Sequence, residues 1–189
     1  MRVALYGGSF NPPHVCHLLA ATWVLAANAA DQVWVVPVWQ HALGKPLAAS
    51  FEDRLELCRR NFALLGAKVR VVDAERGSSG RTLDLLDRLQ LQHPEAAFRL
   101  VIGADILHEA ARWHRFDEVA RRAPPLVLGR SGYEIPKDFA GEVAPLALPE
   151  LSSSAVRALL ASGRLPPGLL VDDVDQEIRR RGLYSAPAL

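Results

Sequence analysis

His14 and His17 stand three residues apart in the run Gly7-Gly8-Ser9-Phe10-Asn11-Pro12-Pro13-His14-Val15-Cys16-His17. At that spacing on a helical turn both imidazoles face one way. Two such donors at a helix start can hold phosphate oxygens, or stabilise charge developing on a bridging oxygen during phosphoryl-type transfer. The glycines permit a tight turn and close approach of backbone to a ligand. Two plainer readings stay open: Gly-Gly after a strand is often only a turn, and two histidines can be a metal pair, although no third ligand is near. The run has neither the Gly-x-x-x-x-Gly-Lys-Ser/Thr phosphate loop nor the Gly-x-Gly-x-x-Gly fingerprint.

A second candidate lies far along the chain, in Leu151-Ser152-Ser153-Ser154-Ala155-Val156-Arg157. Small hydroxyls at a helix start serve as caps. Alternatively they form a phosphate cradle, to which Arg157 adds a fixed charge. Between the two lies Gly103-Ala104-Asp105. Asp105 either accepts hydrogen bonds from ribose hydroxyls or caps the next short helix.

These residues need a scaffold, and the hydrophobic pattern supplies one. Short β-branched runs at 3–6, 33–36, 69–72, 98–102 and 126–128 read as strands, with 143–148 a possible sixth at an edge. Helical spacing covers 17–28, 51–65, 82–92, 116–122, 153–162 and 171–181. Ser50 is placed to cap the second helix, with Asp53 at the capping-box position. Trp23, Trp34 and Trp39 read as packing residues, and His41, His93, His108 and His114 as surface. Such alternation predicts an α/β fold, a parallel sheet covered on both faces. Ligands bind such sheets at the carboxyl ends of the strands, where Gly7-Gly8 and Gly103 fall.

The 189 residues suit a single domain, with 151–189 a helical part packed on it. Half the residues are hydrophobic and 23% charged, as in globular chains. A net charge of +1 gives no case for nucleic-acid or membrane attraction. The N-terminal apolar run is too short for a signal peptide, and no stretch approaches the roughly 20 residues of a membrane span. Cys16 and Cys58 show no paired spacing. A cytoplasmic protein is expected. Nothing in the pattern specifies an oligomer.

The first run resembles the Gly-Gly-x-Phe-Asp/Asn-Pro-x-His-x-Gly-His signature of the nucleotidylyltransferase superfamily. The 151–157 run resembles its Ile-Ser-Ser-Thr-x-Ile-Arg motif. Over nearly the whole chain, the match is similar to the nicotinate/nicotinamide nucleotide adenylyltransferases. The resemblance implies a Rossmann-like nucleotidylyltransferase fold. It implies transfer of AMP from ATP to nicotinate mononucleotide, giving deamido-NAD and pyrophosphate. Nicotinamide mononucleotide, another phosphate acceptor, or a non-catalytic nucleotide-binding role are the alternatives.

By the same resemblance His14, His17 and Arg157 are catalytic. Gly7, Gly8, Ser9, Phe10, Asn11, Gly103, Asp105, Ser153 and Ser154 bind ATP with them. Mg²⁺ is implied, held by ATP phosphates and water with no protein ligand. Ser79-Gly80-Arg81-Thr82-Leu83-Asp84 resembles a Ser-Tyr-Thr-x-Asp-Thr segment that holds the pyridine nucleotide. Thr82 and Asp84 match it, and both also suit the start of a helix. Arg81 replaces an aromatic and is placed to face a nicotinate carboxylate or a phosphate. Trp113 stacks on the pyridine ring by resemblance, or else packs in the core. Lys45 aligns with a lysine near phosphate, or is a solvated surface residue. One departure stands out: Cys16 replaces the family glycine between the histidines, which shifts the nucleotide slightly or impairs its binding.

Overall fold

The computed structural model describes residues 1–40, 44, 46–107, 109, 112–136, 139 and 141–185. Among them six strands form one parallel sheet: β1 (Arg2–Gly8), β2 (Gln32–Pro37), β3 (Val69–Val71), β4 (Ala97–Gly103), β5 (Pro125–Arg130) and β6 (Glu142–Leu148). Their order is β3-β2-β1-β4-β5-β6. Seven α-helices accompany them: α1 (Val15–Ala26), α2 (Phe51–Phe62), α3 (Thr82–Gln92), α4 (Ala104–Leu107), α5 (Phe116–Arg122), α6 (Ser153–Ala161) and α7 (Asp172–Arg181).

The side-chain period of two sorts the strands' apolar residues onto two cores. On one face Val3, Leu5, Val36, Leu100 and Ile102 pack against Leu86 and Leu89 of α3 and Val119 of α5. On the other, Ala4, Val33, Val35 and Val101 pack against Ala21 and Val24 of α1 and Cys58 and Phe62 of α2. A third cluster joins Val156, Val174 and Ile178 of the two closing helices to Leu57 of α2. No helix among the described residues is long and apolar enough to cross a membrane.

Most elements start or end a residue or two from the pattern-based expectation, and the helices around the site depart from it in instructive ways. The first helix starts at Val15, because His14 takes the N-cap position in extended conformation. The second ends at Phe62 and continues as a 3₁₀ segment, Ala63–Lys68, where Gly66 adopts φ 58°. The short helix after Gly103, α4, begins at Ala104, so Asp105 lies inside it rather than before it. The Ser50 cap is present: its hydroxyl accepts from the Asp53 N–H at 3.1 Å.

β6 pairs with β5 through a register shift between Leu128 and Gly129. There a Cβ on Gly129 would lie 2.7 Å from the Leu146 carbonyl oxygen, which is backbone and cannot swing aside. Bulges of this kind re-aim side chains, and the next residue is Arg130. Gly129→Ala is therefore expected to destabilise the fold by about 1–3 kcal/mol. An unchanged thermal melt would show that this edge is looser than its packing implies.

Candidate active site

The strand order reverses between β1 and β4, and their carboxyl ends flank two cavities. Gly7, Gly8, Ser9 and Gly103 line both. The smaller, of about 310 Å³, gathers His14, His17, Asp105, Ser153 and Arg157. The larger, of about 720 Å³, gathers Ser79, Arg81, Thr82 and Trp113.

The Gly7–His17 loop is built to bring its histidines together. A Cβ on Gly7 would meet nothing within 4 Å, so its backbone is open to a ligand. A Cβ on Gly8 would press on the Phe10 ring at 3.2 Å. Phe10 itself is 1% exposed, with its ring 4.9 Å from that of His17. Although it borders the smaller cavity, its main work is to hold this loop to the core. The His14 N–H donates to His17 Nδ1 at 3.0 Å, and the two rings lie 3.8 Å apart. With Nδ1 accepting, neutral His17 carries its proton on Nε2 and so offers a donor there.

Both imidazoles are held neutral at physiological pH. Burial, aided by the nearby Arg130 charge, lowers the His14 pKa to about 4. Burial, then His14, then Arg130 push His17 well below the ordinary imidazole value. His14 Nδ1 is buried without a partner. The site thus awaits negative charge, which would reverse these shifts.

The distant serine run closes over this loop, and its hydroxyls divide the work. Ser152 caps α6, accepting from the Ala155 N–H at 3.1 Å. Ser153 donates instead to the Pro12 carbonyl at 2.9 Å. Arg157 donates to the Asn11 carbonyl at 2.7 Å and to the Ser154 hydroxyl at 3.1 Å. Asn11 is 2% exposed, and its Oδ1 has no partner. One of the free N–H groups at the start of α1, that of Val15, is taken by the Leu169 carbonyl at 3.0 Å.

Asp105 lies in the first turn of α4 rather than at its cap. Its carboxylate receives Arg130 at 2.7 Å. A Cβ on Gly103 would collide with Asp105 Oδ1, so the glycine gives that carboxylate room. Cys16 lines the smaller cavity, is 5% exposed, and points its thiol toward the Pro149 carbonyl at 3.9 Å. Burial raises its pKa, which keeps it a thiol.

In the larger cavity Arg81 takes the N-cap position of α3 and Thr82 its first turn, and both line the wall. Asp84 does not line it. Its exposed carboxylate accepts from the Ser79 hydroxyl at 2.5 Å, bracing a residue that does. Trp113 is half-buried against the core and Phe116, and it also borders the cavity. His114, read as surface, borders this cavity too. Lys45, His41 and His108 lie outside the described residues.

Two arginines escaped the sequence reading. Arg130, at the carboxyl end of β5, ties Asp105 to the Leu151 carbonyl, which it reaches at 2.9 Å. A charge directly after an apolar strand was the available signal. Arg54 is 1% exposed and donates to the carbonyls of Ser9 at 2.9 Å and Val38 at 2.8 Å. Its place on the stripe Phe51, Arg54, Leu55, Cys58, Phe62 marks the buried face of α2.

One cavity thus offers imidazole, hydroxyl and guanidinium groups suited to phosphates. The adjoining one is larger, flanked by an aromatic ring and polar backbone. Such a pair can hold two ligands for group transfer between them. The chain is similar to a protein of Anaeromyxobacter sp. (strain K) named "Probable nicotinate-nucleotide adenylyltransferase", at 44% identity over 97% of this chain and 96% of that one. A protein of the same name from Myxococcus xanthus is 40% identical, over 97% and 95%. In fold it is similar to the Plasmodium falciparum nicotinic acid mononucleotide adenylyltransferase solved with NaAD, at TM-score 0.81 and 21% identity, covering 97% of each chain. Residues 5–159 match the cytidylyltransferase-like family. The chain belongs to that family.

Proposed function

We propose that the protein transfers the AMP part of ATP to the phosphate of nicotinate mononucleotide, making deamido-NAD and pyrophosphate in the cytoplasm. One observation carries this most: two motifs from opposite chain ends, joined by Arg157 to the Asn11 carbonyl at 2.7 Å, form a phosphate-suited cavity sharing a wall with a larger one. The names of the relatives supply the acceptor. The cytoplasmic placement agrees with two buried cysteines that form no disulfide.

In this reading an oxygen of the mononucleotide phosphate attacks the α-phosphorus of ATP. The bond from that phosphorus to the bridging oxygen breaks, and pyrophosphate leaves with the electron pair. The attacking phosphate is already anionic, so no side-chain base is needed. Positioning and charge stabilisation do the work, through His14, His17, Ser154 and Arg157. Asp105 holds the ATP ribose. Mg²⁺ would neutralise phosphate charge when bound. Among the described residues no three His, Cys, Asp or Glu side chains converge to hold a metal. The Ser, His and Arg donors suit the phosphates instead, so Mg²⁺ would be carried by phosphate oxygens and water.

The test is pyrophosphate release with ATP and Mg²⁺, comparing nicotinate with nicotinamide mononucleotide. Release with a higher kcat/KM for the nicotinate form is expected. Arg81→Ala should then lower kcat/KM for that form by about 10-fold, the scale of one charge-assisted hydrogen bond. No release with either, from folded protein that binds ATP, would overturn the reading. An unchanged Arg81→Ala would remove Arg81 from acceptor binding.

A further inference from the structure

The larger cavity also presents a buried acid that the transfer reaction leaves unused. Glu75 borders it, yet the residue is only 2% exposed. It sits in the turn after β3, where the Arg76 N–H reaches the Asp73 carbonyl and the Ser78 N–H reaches the Glu75 carbonyl, each at 2.9 Å. The turn is braced from outside by Gln40, whose amide donates to the Ser78 carbonyl at 3.2 Å. Arg88 donates to the adjacent Ala74 carbonyl.

The turn is therefore held, but one oxygen of the carboxyl is not. Its Oε2 is buried with no hydrogen-bond partner, and no ion pair to it is formed among the described residues. Burial raises its pKa, opposed by the Ser78 hydroxyl and the charge of Arg88. A buried acceptor without a donor is rare enough to need a reason. At the wall of a ligand cavity, the reason at hand is a donor brought by the ligand. Rotation about the terminal side-chain torsion, which is broad for glutamate, exchanges the two oxygens at that wall.

The acceptor's own groups narrow the choice. A mononucleotide carries a phosphate, and nicotinate a ring carboxylate. Both are anions that a carboxylate would repel, and both suit Arg81 and Arg112 on the same cavity. Its neutral donors are the ribose hydroxyls. We propose that Glu75 is a specificity-determining residue, accepting a hydrogen bond from a ribose hydroxyl of the acceptor mononucleotide. This rests on the adenylyl-transfer reading above.

The test uses the whole chain with nicotinate mononucleotide and its 2′-deoxy and 3′-deoxy analogues. The unsubstituted protein should lose about 10-fold or more in kcat/KM with one of the two analogues, since a site built around a hydroxyl rejects its absence. Glu75→Ala should lose a similar factor with the full ribonucleotide. It should then lose little more with that analogue, while KM for ATP stays within about twofold, a non-additivity that marks direct contact. Glu75→Gln, which keeps size and a neutral acceptor, should show an intermediate penalty and serves if the alanine variant does not fold. Equal deoxy penalties with and without the Glu75 carboxylate, or none in the unsubstituted protein, would overturn the proposal. So would a Glu75→Ala whose only change is a lower melting temperature. Those outcomes leave adenylyl transfer standing, whereas no turnover of nicotinate mononucleotide at all would remove the reading and the Glu75 proposal with it.

Discussion

His14→Ala is expected to lower kcat for pyrophosphate release by about 10²–10³-fold, the scale for losing one donor to transition-state charge. Near neutral pH the fold should survive, losing packing but no side-chain hydrogen bond of His14 Nδ1. The His14 side chain makes no capping hydrogen bond to α1, and its Nδ1 is a buried atom with no partner. Removing it gives up the ring contact with His17 and relieves a group that the fold must desolvate. The pH dependence gives the sign independently. Folded His14 titrates near 4, below the 6.5 of a free imidazole. Between those values the unfolded chain binds more protons, so stability is complete above about pH 6.5 and is lost as pH falls toward 4. The gap corresponds to at most about 3–4 kcal/mol. His14→Ala should therefore flatten the acid limb of a stability–pH curve while abolishing most activity.

ATP should act in the opposite sense on the same groups. A triphosphate beside His14 and His17 favours their charged forms, so binding should take up protons. Calorimetric titration in buffers of different ionisation enthalpy measures that uptake near pH 7, and it should fall in His14→Ala. Wild-type rates in the variant, or buffer-independent enthalpies in the unsubstituted protein, would mean that the histidine pair does not face the phosphates.

How far the site was legible follows from what kind of signal each residue leaves. Gly7-Gly8 and Gly103 were visible because a glycine ending an apolar run marks a strand's carboxyl end. His14 and His17 were visible because their spacing is local. The contacts that assemble the site are not local. Arg157 meets Asn11 across 146 residues, and Ser153 meets Pro12 across 141. No periodicity carries such a pairing, so on its residues alone the serine run reads first as a helix cap, and only the resemblance favours a phosphate cradle. In the structure Ser152 is the cap, while Ser153 gives its hydroxyl to the Pro12 carbonyl. Asp84 matched a ligand-holding pattern by position, while its carboxylate turns to Ser79. The sheet itself was largely readable, because strands buried on both faces need continuous apolar runs. The 3₁₀ segment was not, and the bounds of α4 were not, since so few residues show no repeated spacing.

Arg54→Ala is expected to produce the largest loss of stability of any single change in the site. Arg54 is nearly inaccessible and has no carboxylate partner among the described residues. Its guanidinium serves backbone carbonyls instead, those of Ser9, Val38 and, at 3.4 Å, Ala49. It also lies 5.6 Å from the Phe51 ring centre. Truncation leaves carbonyls on two separate loops without donors and opens a void in the place of a long side chain. Each orphaned group costs about 1–3 kcal/mol, so a loss of about 3–5 kcal/mol is expected. For a chain of this length that lowers Tm by roughly 6–20 °C. Arg54→Lys should recover only part of this, because a single ammonium cannot reproduce the planar fork that reaches several carbonyls. Function should fall for a geometric reason. Ser9 lines both cavities and Val38 the larger one. Arg54→Lys, folded at low temperature, should therefore raise KM for both ATP and the mononucleotide. A Tm unchanged in Arg54→Ala would show that water replaces the guanidinium freely. A lowered Tm with both KM values intact would confine Arg54 to holding the fold. Loss of both together is the outcome expected of a clamp. It fastens the loop after β1 to the loop after β2, and so fixes the wall that the two ligand cavities share.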